Sequence, residues 1–157
     1  MLLATDRNQA GIAFNYIRAL IEETPLLSPL LARPPRGHRI ELRNRAEIVV
    51  TTNNIRSPRG RTIACAIFDE AAQWLGEDYA NPDAEVDNAV TPGLMRFPGS
   101  LKIIISSVHR RAGLLHDNKF AKHFGQDDDD TLVVLGTSTE FNPTLARQPQ
   151  QALARSS

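Results

Sequence analysis

Thr62 to Phe68 is an almost unbroken apolar run of strand length that ends on two acids, Asp69 and Glu70. A strand that is apolar at consecutive positions is buried on both faces, the situation of a parallel sheet covered by helices. Leu101 to Ile105 repeats the pattern and closes on Ser106-Ser107, and Thr131 to Leu135 reads as a third such strand, closing on Gly136-Thr137. Helical stretches separate these runs, so the chain is predicted to be α/β with a parallel sheet. Right-handed crossovers then place the strand C-termini on one edge, where such sheets bind ligands.

The remaining elements follow from local signals. Leu2 to Ala4 is a short strand followed by the N-cap residues Thr5-Asp6 and a helix from Arg7, with Ala10, Ala13, Phe14, Ile17, Leu20 and Ile21 on its apolar face. Pro25, Pro29, Pro34 and Pro35 make the segment to Gly37 irregular, with at most a short helical turn. Arg39 to Arg43, the Asn44-Arg45 turn and Glu47 to Thr52 describe a hairpin. Ala71 to Leu75 starts a helix or turn, and Asn81-Pro82-Asp83 caps a short helix over Ala84 to Val90 that Pro92-Gly93 ends. Leu114, Leu115, Phe120 and Phe124 mark an amphipathic helix stopped by Gly125.

With 157 residues, 41% hydrophobic and 23% charged, the chain suits one ordinary globular domain and not a disordered one. Eighteen Lys+Arg balance 18 Asp+Glu, so any contact with nucleic acid has to be local rather than a general phosphate attraction. A single cysteine, Cys65, excludes a disulfide framework and reads as a buried, inert thiol in a reducing compartment. No run nears the roughly 18 apolar residues of a membrane span, and the N-terminus lacks the basic start of a secretory signal. The expected location is the cytoplasm.

Ile63 to Glu70 has the form of a Walker B strand, in which the first acid holds Mg²⁺ through water and the second polarises the attacking water. Phosphoryl transfer needs both a cation on the β and γ oxygens and an orienter for the nucleophile. The same pair reads equally as carboxylates at the positive end of a following helix. Arg56, Arg59 and Arg61 flank Gly60 just before the strand, where a guanidinium can stabilise transition-state charge. Ser106 and Ser107 can sense a γ-phosphate or simply form a turn at a strand end.

Taken together, ATDRNQAGIAFNYIRAL, IRSPRGRTIACAIFDEAAQW, ANPDAEVDNAVTPGLMRFPGSLKIIISS, KFAKHFGQ and FNPTL make the chain resemble the ATPase part of a tailed-phage terminase large subunit, over roughly Leu3 to Leu145. That family is the ATP-driven motor that packages viral DNA into procapsids. The resemblance implies a P-loop NTPase-like sheet with ATP and Mg²⁺ as cofactors, Asp69 as the Mg²⁺ ligand and Glu70 as the catalytic glutamate. It makes Ser106 and Ser107 the nucleotide-coupling pair, and Arg59 a finger reaching a neighbouring subunit's ATP, with Arg56 and Arg61 close by. Implied partners are double-stranded viral DNA, the portal protein, a small terminase subunit and further copies in a ring, all in the bacterial host's cytoplasm.

The departures from the family pattern are equally specific. No G-x-x-x-x-G-K-[ST] sequence occurs, and the only lysines are Lys102, Lys119 and Lys122. The phosphate-loop strand and the nuclease domain are therefore expected to be missing. Residues 1–145 read as a partial ATPase domain and 146–157 as a divergent or disordered tail. Met1 is expected to start after the first sheet strand, as in a truncated or split gene or a prophage remnant. The family's sheet order would leave a gap between the Leu101 and Thr131 strands, giving a marginally stable domain. This chain alone is expected not to turn over ATP.

Two other readings stay open: a non-catalytic ATPase-like interaction module completed by a separately encoded chain, and an unrelated α/β hydrolase, for which no Ser/His/Asp set is visible. His116 and His123 lack a third metal ligand in the sequence, and Asp127 to Asp130 reads as a solvated acidic tip. Trp74 and Tyr79 read as packing residues rather than DNA-stacking ones.

Overall fold

The computed structural model describes residues 1–53, 58–74, 82–107, 111, 113–127 and 130–145, in two compact units, Met1–Asn118 and Lys119–Ser157. In the first unit, β1 (Leu2–Ala4) leads into α1 (Arg7–Glu23) through Asp6, whose carboxylate accepts from the backbone N–H of Asn8 at 2.7 Å and of Gln9 at 2.9 Å. The cap satisfies two donors that the first helical turn otherwise leaves unpaired. Ala10, Phe14 and Ile21 are buried, with Ala13 and Ile17 packed beside them. Leu20, expected on this face, is instead 62% exposed and lies with Ile12 and Tyr16 at four-residue spacing on the outer side. Thr24 then bonds back to the Leu20 carbonyl and Pro25 ends the helix.

The proline-rich stretch contains one short 3₁₀ turn, Ser28–Leu30, as its composition predicts. β2 (Arg39–Glu41) and β3 (Glu47–Thr52) form the expected antiparallel hairpin, with Ile40 opposite Ile48. At its turn Asn44 accepts from the Ala46 N–H at 3.0 Å. β4 (Cys65–Asp69) and β5 (Leu101–Ile105) complete a five-stranded sheet of order β2-β3-β1-β4-β5, parallel everywhere except at β2.

Alternation along β1 shows how the sheet is covered. Leu3 packs with Phe68, Val86, Val90 and Leu94 under α2 (Pro82–Leu94), while Leu2 and Ala4 pack with Phe14, Ile21 and Val50 under α1. Successive strand residues point to opposite faces, so the two helices lie on opposite sides of the sheet. This is the α/β architecture expected, in three layers.

Several boundaries and burials differ from expectation. β4 begins at Cys65, not Thr62, because the Ile63 N–H is taken by the Gly93 carbonyl at 2.9 Å instead of by a neighbouring strand. It is fully buried on one face only: Ala66 and Phe68 are at 0% exposure, whereas Cys65 and Ile67 are half-buried. β5 is an edge strand whose Leu101 and Ile105 are 55% and 53% exposed. α2 outlasts its expected end and includes Pro92, which near a helix C-terminus forfeits only one backbone bond, to Asn88. Ala71–Gln73 is a 3₁₀ turn, and Leu114–Phe120 is π-wound before Ala121–His123. Leu75 and Asn81 lie outside the described residues.

In the second unit the Phe120 and Phe124 rings stack at 4.6 Å, and Gly125 adopts φ +70° after them. Thr131 to Leu135 is not a strand; it forms no ladder among the described residues, and Leu132, Val134 and Leu135 are 88%, 64% and 53% exposed. An extended segment without a neighbour has no partner for its N–H and C=O groups, and apolar content alone does not make it a strand. Gly136-Thr137 therefore does not close a strand. Thr137 caps the Ser138–Phe141 helix in a capping box with Glu140. Asp128, Asp129 and the 146–157 tail lie outside the described residues.

Among the described residues no strand pairs with the outer edge of β5, which predicts self-association, since unpaired apolar edges template pairing with another chain. Leu101→Lys should raise the soluble monomer fraction in size-exclusion chromatography at fixed concentration. An unchanged profile would show that the edge is not the sticking surface.

Candidate functional site

Four parallel strands end on one sheet edge, and the register of β4 with β5 decides which of their termini meet. Cys65 pairs with Leu101 and Asp69 with Ile105, so the residues that follow, Glu70 and Ser106, are brought side by side. Strand neighbours lie about 4.8 Å apart, within hydrogen-bonding reach of a glutamate. The Glu70 carboxylate accepts from the Ser107 N–H at 3.2 Å, the Ser106 hydroxyl at 3.3 Å and the Gln73 side-chain amide at 3.2 Å. The Ser106 hydroxyl oxygen in turn accepts from the Ala72 N–H at 3.1 Å.

Glu70 sits at φ 52°, ψ 42°, in the left-handed region. For a residue with a Cβ this costs on the order of 1 kcal/mol, and non-glycine residues held there concentrate at functional sites. The turn Ala71–Gln73 that follows, closed by the Gln73 N–H on the Glu70 carbonyl at 2.8 Å, holds the conformation.

Asp69 precedes it on the sheet face opposite Phe68. Its carboxylate accepts no hydrogen bond from the described residues, and its pKa is raised, first by burial and then by the neighbouring Glu70 charge. Both causes disfavour the ionised form. A divalent cation beside it would offset both. The linkage sign follows: an acid whose folded pKa is raised takes up protons on folding, so its contribution falls as pH rises from the ordinary carboxylate range through the folded pKa. Asp69→Asn is accordingly expected to stabilise the fold at pH 7, with the gain vanishing near pH 3. Thermal melts at both values check this; equal or lower stability at pH 7 contradicts it.

Trp74 is a positioning residue. It is fully buried, its ring tilts against Phe68 at 5.1 Å, and its indole N–H donates to the Asp69 carbonyl at 3.0 Å. Burial removes it from any stacking role, as expected. Tyr79 lies outside the described residues.

The structure does not bring Arg59 to the acids. Arg59 precedes β4, whose five residues alone separate its two ends by about 13 Å, and it lies with α2 at the opposite end of the strand. Arg61 is engaged with Glu47 at 3.4 Å, and Glu47 also meets Arg39. Arg56 lies outside the described residues.

The sequence reading missed two residues. Gln73, three positions after Glu70, was legible in spacing as a turn neighbour. Asp83 is 2% exposed, and its carboxylate accepts from the Ala84 N–H at 2.8 Å and the Leu114 N–H at 2.7 Å, tying α2 to the segment after β5. A contact across 31 residues leaves no local sequence signal. His116 pairs with Asp117 at 2.8 Å, and among the described residues no three His, Cys, Asp or Glu side chains converge as a metal site. Among the described residues no helix is long and apolar enough to cross a membrane.

No family model and no curated protein matches the chain. Among solved structures it is similar to the large terminase of bacteriophage HK97, with a TM-score of 0.54 and 25% identity over 73% of this chain. The matched region is 23% of that protein, so the chain spans less than a quarter of its length. The likeness in backbone agrees with the likeness in motifs: the chain resembles part of a phage large terminase in both.

Proposed function

We propose that the Met1–Asn118 unit is the Mg²⁺- and water-handling half of a DNA-packaging ATPase. The observation that carries this reading is Glu70, held in a left-handed backbone with its carboxylate fixed by Ser106 and Ser107 at the C-terminal sheet edge. Mg²⁺ in phosphoryl-transfer sites is held by one or two carboxylates, waters and substrate phosphates, and Asp69 offers that kind of partial site. When bound, the ion would neutralise charge on the transferring phosphate. Asp69 would hold it, and Glu70 would orient the attacking water. Ser106 and Ser107, bonded to that same carboxylate, would move with it when the phosphate leaves.

The residues fit the ion and not the phosphates. No Gly-rich loop with lysine occurs in the sequence, and Lys102 is committed to Asp87 and Thr91. On this reading the phosphate cradle comes from outside these residues. Because Arg59 lies away from its own acids, its proposed partner is a neighbouring subunit's ATP. Duplex viral DNA, a portal, a small terminase subunit and copies of this chain in a ring belong to the same proposal.

The test is reconstitution. This chain alone should not hydrolyse ATP; with a phosphate-loop polypeptide it should show Mg²⁺-dependent turnover that Asp69→Asn abolishes. Equal turnover by Asp69→Asn overturns the assignment. A stable complex with no turnover supports the non-catalytic module instead.

A further inference from the structure

α1 carries two apolar stripes, and the sheet uses one of them. Ala10, Phe14 and Ile21 face the core, whereas Ile12, Tyr16 and Leu20 are 43%, 75% and 62% exposed on the far side. Single exposed apolar residues carry little meaning, but residues four apart lie one above the other on a helix surface, so these three form a continuous seam. Ala19 lies beside them and is small enough to let another helix come close. The seam runs between Gln9 in the first turn and Glu23 at the last residue of the helix.

The charges of α1 do not complement its own dipole. Its first turn holds no acid and its last turn no base, and Glu23 sits at the negative end with no ion-pair partner among the described residues. A carboxylate is stabilised near a helix N-terminus, not near a C-terminus. An antiparallel helix laid along the seam would bring such a positive end to Glu23, and α1 itself has the pattern required. Gln9 and Glu23 are equally far from Tyr16 along the chain, and so are Ile12 and Leu20. Two copies meeting at Tyr16 therefore put Gln9 opposite Glu23, Ile12 opposite Leu20, and the two Tyr16 rings on the axis. A lipid surface fits less well, because helices that lie on membranes carry Lys and Arg along their polar face, and here Arg18 is paired with Glu22 at 3.8 Å.

We propose that the outer face of α1 is a self-association surface, on which a second copy of this chain seats its own α1 antiparallel about a two-fold axis at Tyr16. Such a contact uses the same patch on both copies and closes at two, unlike the head-to-tail contacts of a ring. It does not depend on the roles of Asp69 and Glu70. A helix of 17 residues is about 25 Å long and about 10 Å across. One pair of that size covers less than the roughly 1,600 Å² of a standard stable interface, so the dimer is weak and its population rises with concentration.

Sedimentation equilibrium of the full chain tests this, in the Leu101→Lys background so that the β5 edge is blocked. The weight-average mass should climb from one chain toward a plateau at two as concentration rises. Tyr16→Glu, exposed and outside the core, should hold it at one chain over the same range. Gln9→Glu sets carboxylates against each other across the axis and should weaken the dimer about fivefold, as expected of two symmetry-related surface charge pairs. Adding Glu23→Lys should restore it, and both changes agree with the dipole of α1, so the monomer stays folded. Parallel helices would place position 9 against position 9, and the double change would not rescue them. The proposal is overturned if the mass stays at one chain throughout or passes two without a plateau. It is equally overturned if Tyr16→Glu dimerises as well as its parent, or if the double variant is as weak as Gln9→Glu alone.

Discussion

Replacing Trp74 with alanine should lower the unfolding free energy by roughly 3–5 kcal/mol, the usual cost of emptying a large aromatic site. A domain of this size has about 5–15 kcal/mol in total, so the variant is expected to lie near its unfolding threshold. Trp74 has no exposed surface and fills the space between Phe68 and α2, where Val86 and Val90 are equally buried. Its loss also strips the Asp69 carbonyl of its indole donor. Trp74→Phe isolates that second effect, and the lost hydrogen bond is worth about 1 kcal/mol. Because Trp74 is the sole tryptophan, urea unfolding has to be followed by far-UV circular dichroism. A cost below about 1 kcal/mol for the alanine variant would contradict the packing described.

Gly93→Ala is the second large effect, and its sign is informative. In an unencumbered helix this change stabilises by about 1 kcal/mol. Here a Cβ would lie 2.7 Å from the Arg61 carbonyl oxygen and 2.8 Å from Ile63 Cδ1. The first of these is backbone and cannot rotate away, so α2 has to shift off the Pro58–Ile63 segment. Overpacking of this kind costs roughly 1–3 kcal/mol, and it would strain the Ile63 to Gly93 hydrogen bond. The melting temperature should therefore fall. A more stable Gly93→Ala protein would show that helix propensity outweighs the contact.

How much of this was legible before the structure depended on the range of the interaction concerned. Asp6 capping α1, the Asn44 turn and the apolar runs of β4 and β5 are local, and the sequence reading placed them within a few residues. The meeting of Asp69-Glu70 with Ser106-Ser107 was also foreseeable, because parallel strands put their C-termini on one edge. What failed depended on neighbours. Thr131 to Leu135 has the composition of a buried strand and no strand beside it among the described residues. Leu20 fits a helical apolar period but faces away from the core, because Phe14 and Ile21 already fill the face toward the sheet. Pro92 looked like a stop signal, yet it sits where its missing N–H costs least. Gly60, which the sequence shows only as a neighbour of the arginines, is the left-handed corner of a turn. The left-handed Glu70 had no signal at all, since nothing in Phe68-Asp69-Glu70-Ala71 marks a positive φ. Its carboxylate meets Ser106 and Ser107 across the two neighbouring strands.

The most direct measurement of the central claim is steady-state ATP hydrolysis by the reconstituted protein with and without Glu70→Gln. The substitution keeps the side chain's shape and removes its charge. If Glu70 orients the attacking water, kcat falls by about 10²-fold or more, while KM for Mg²⁺-ATP stays within about threefold because ground-state binding lies elsewhere. A Glu70→Gln protein with unchanged kcat would contradict the account and leave the acid pair as a strained turn with no catalytic part.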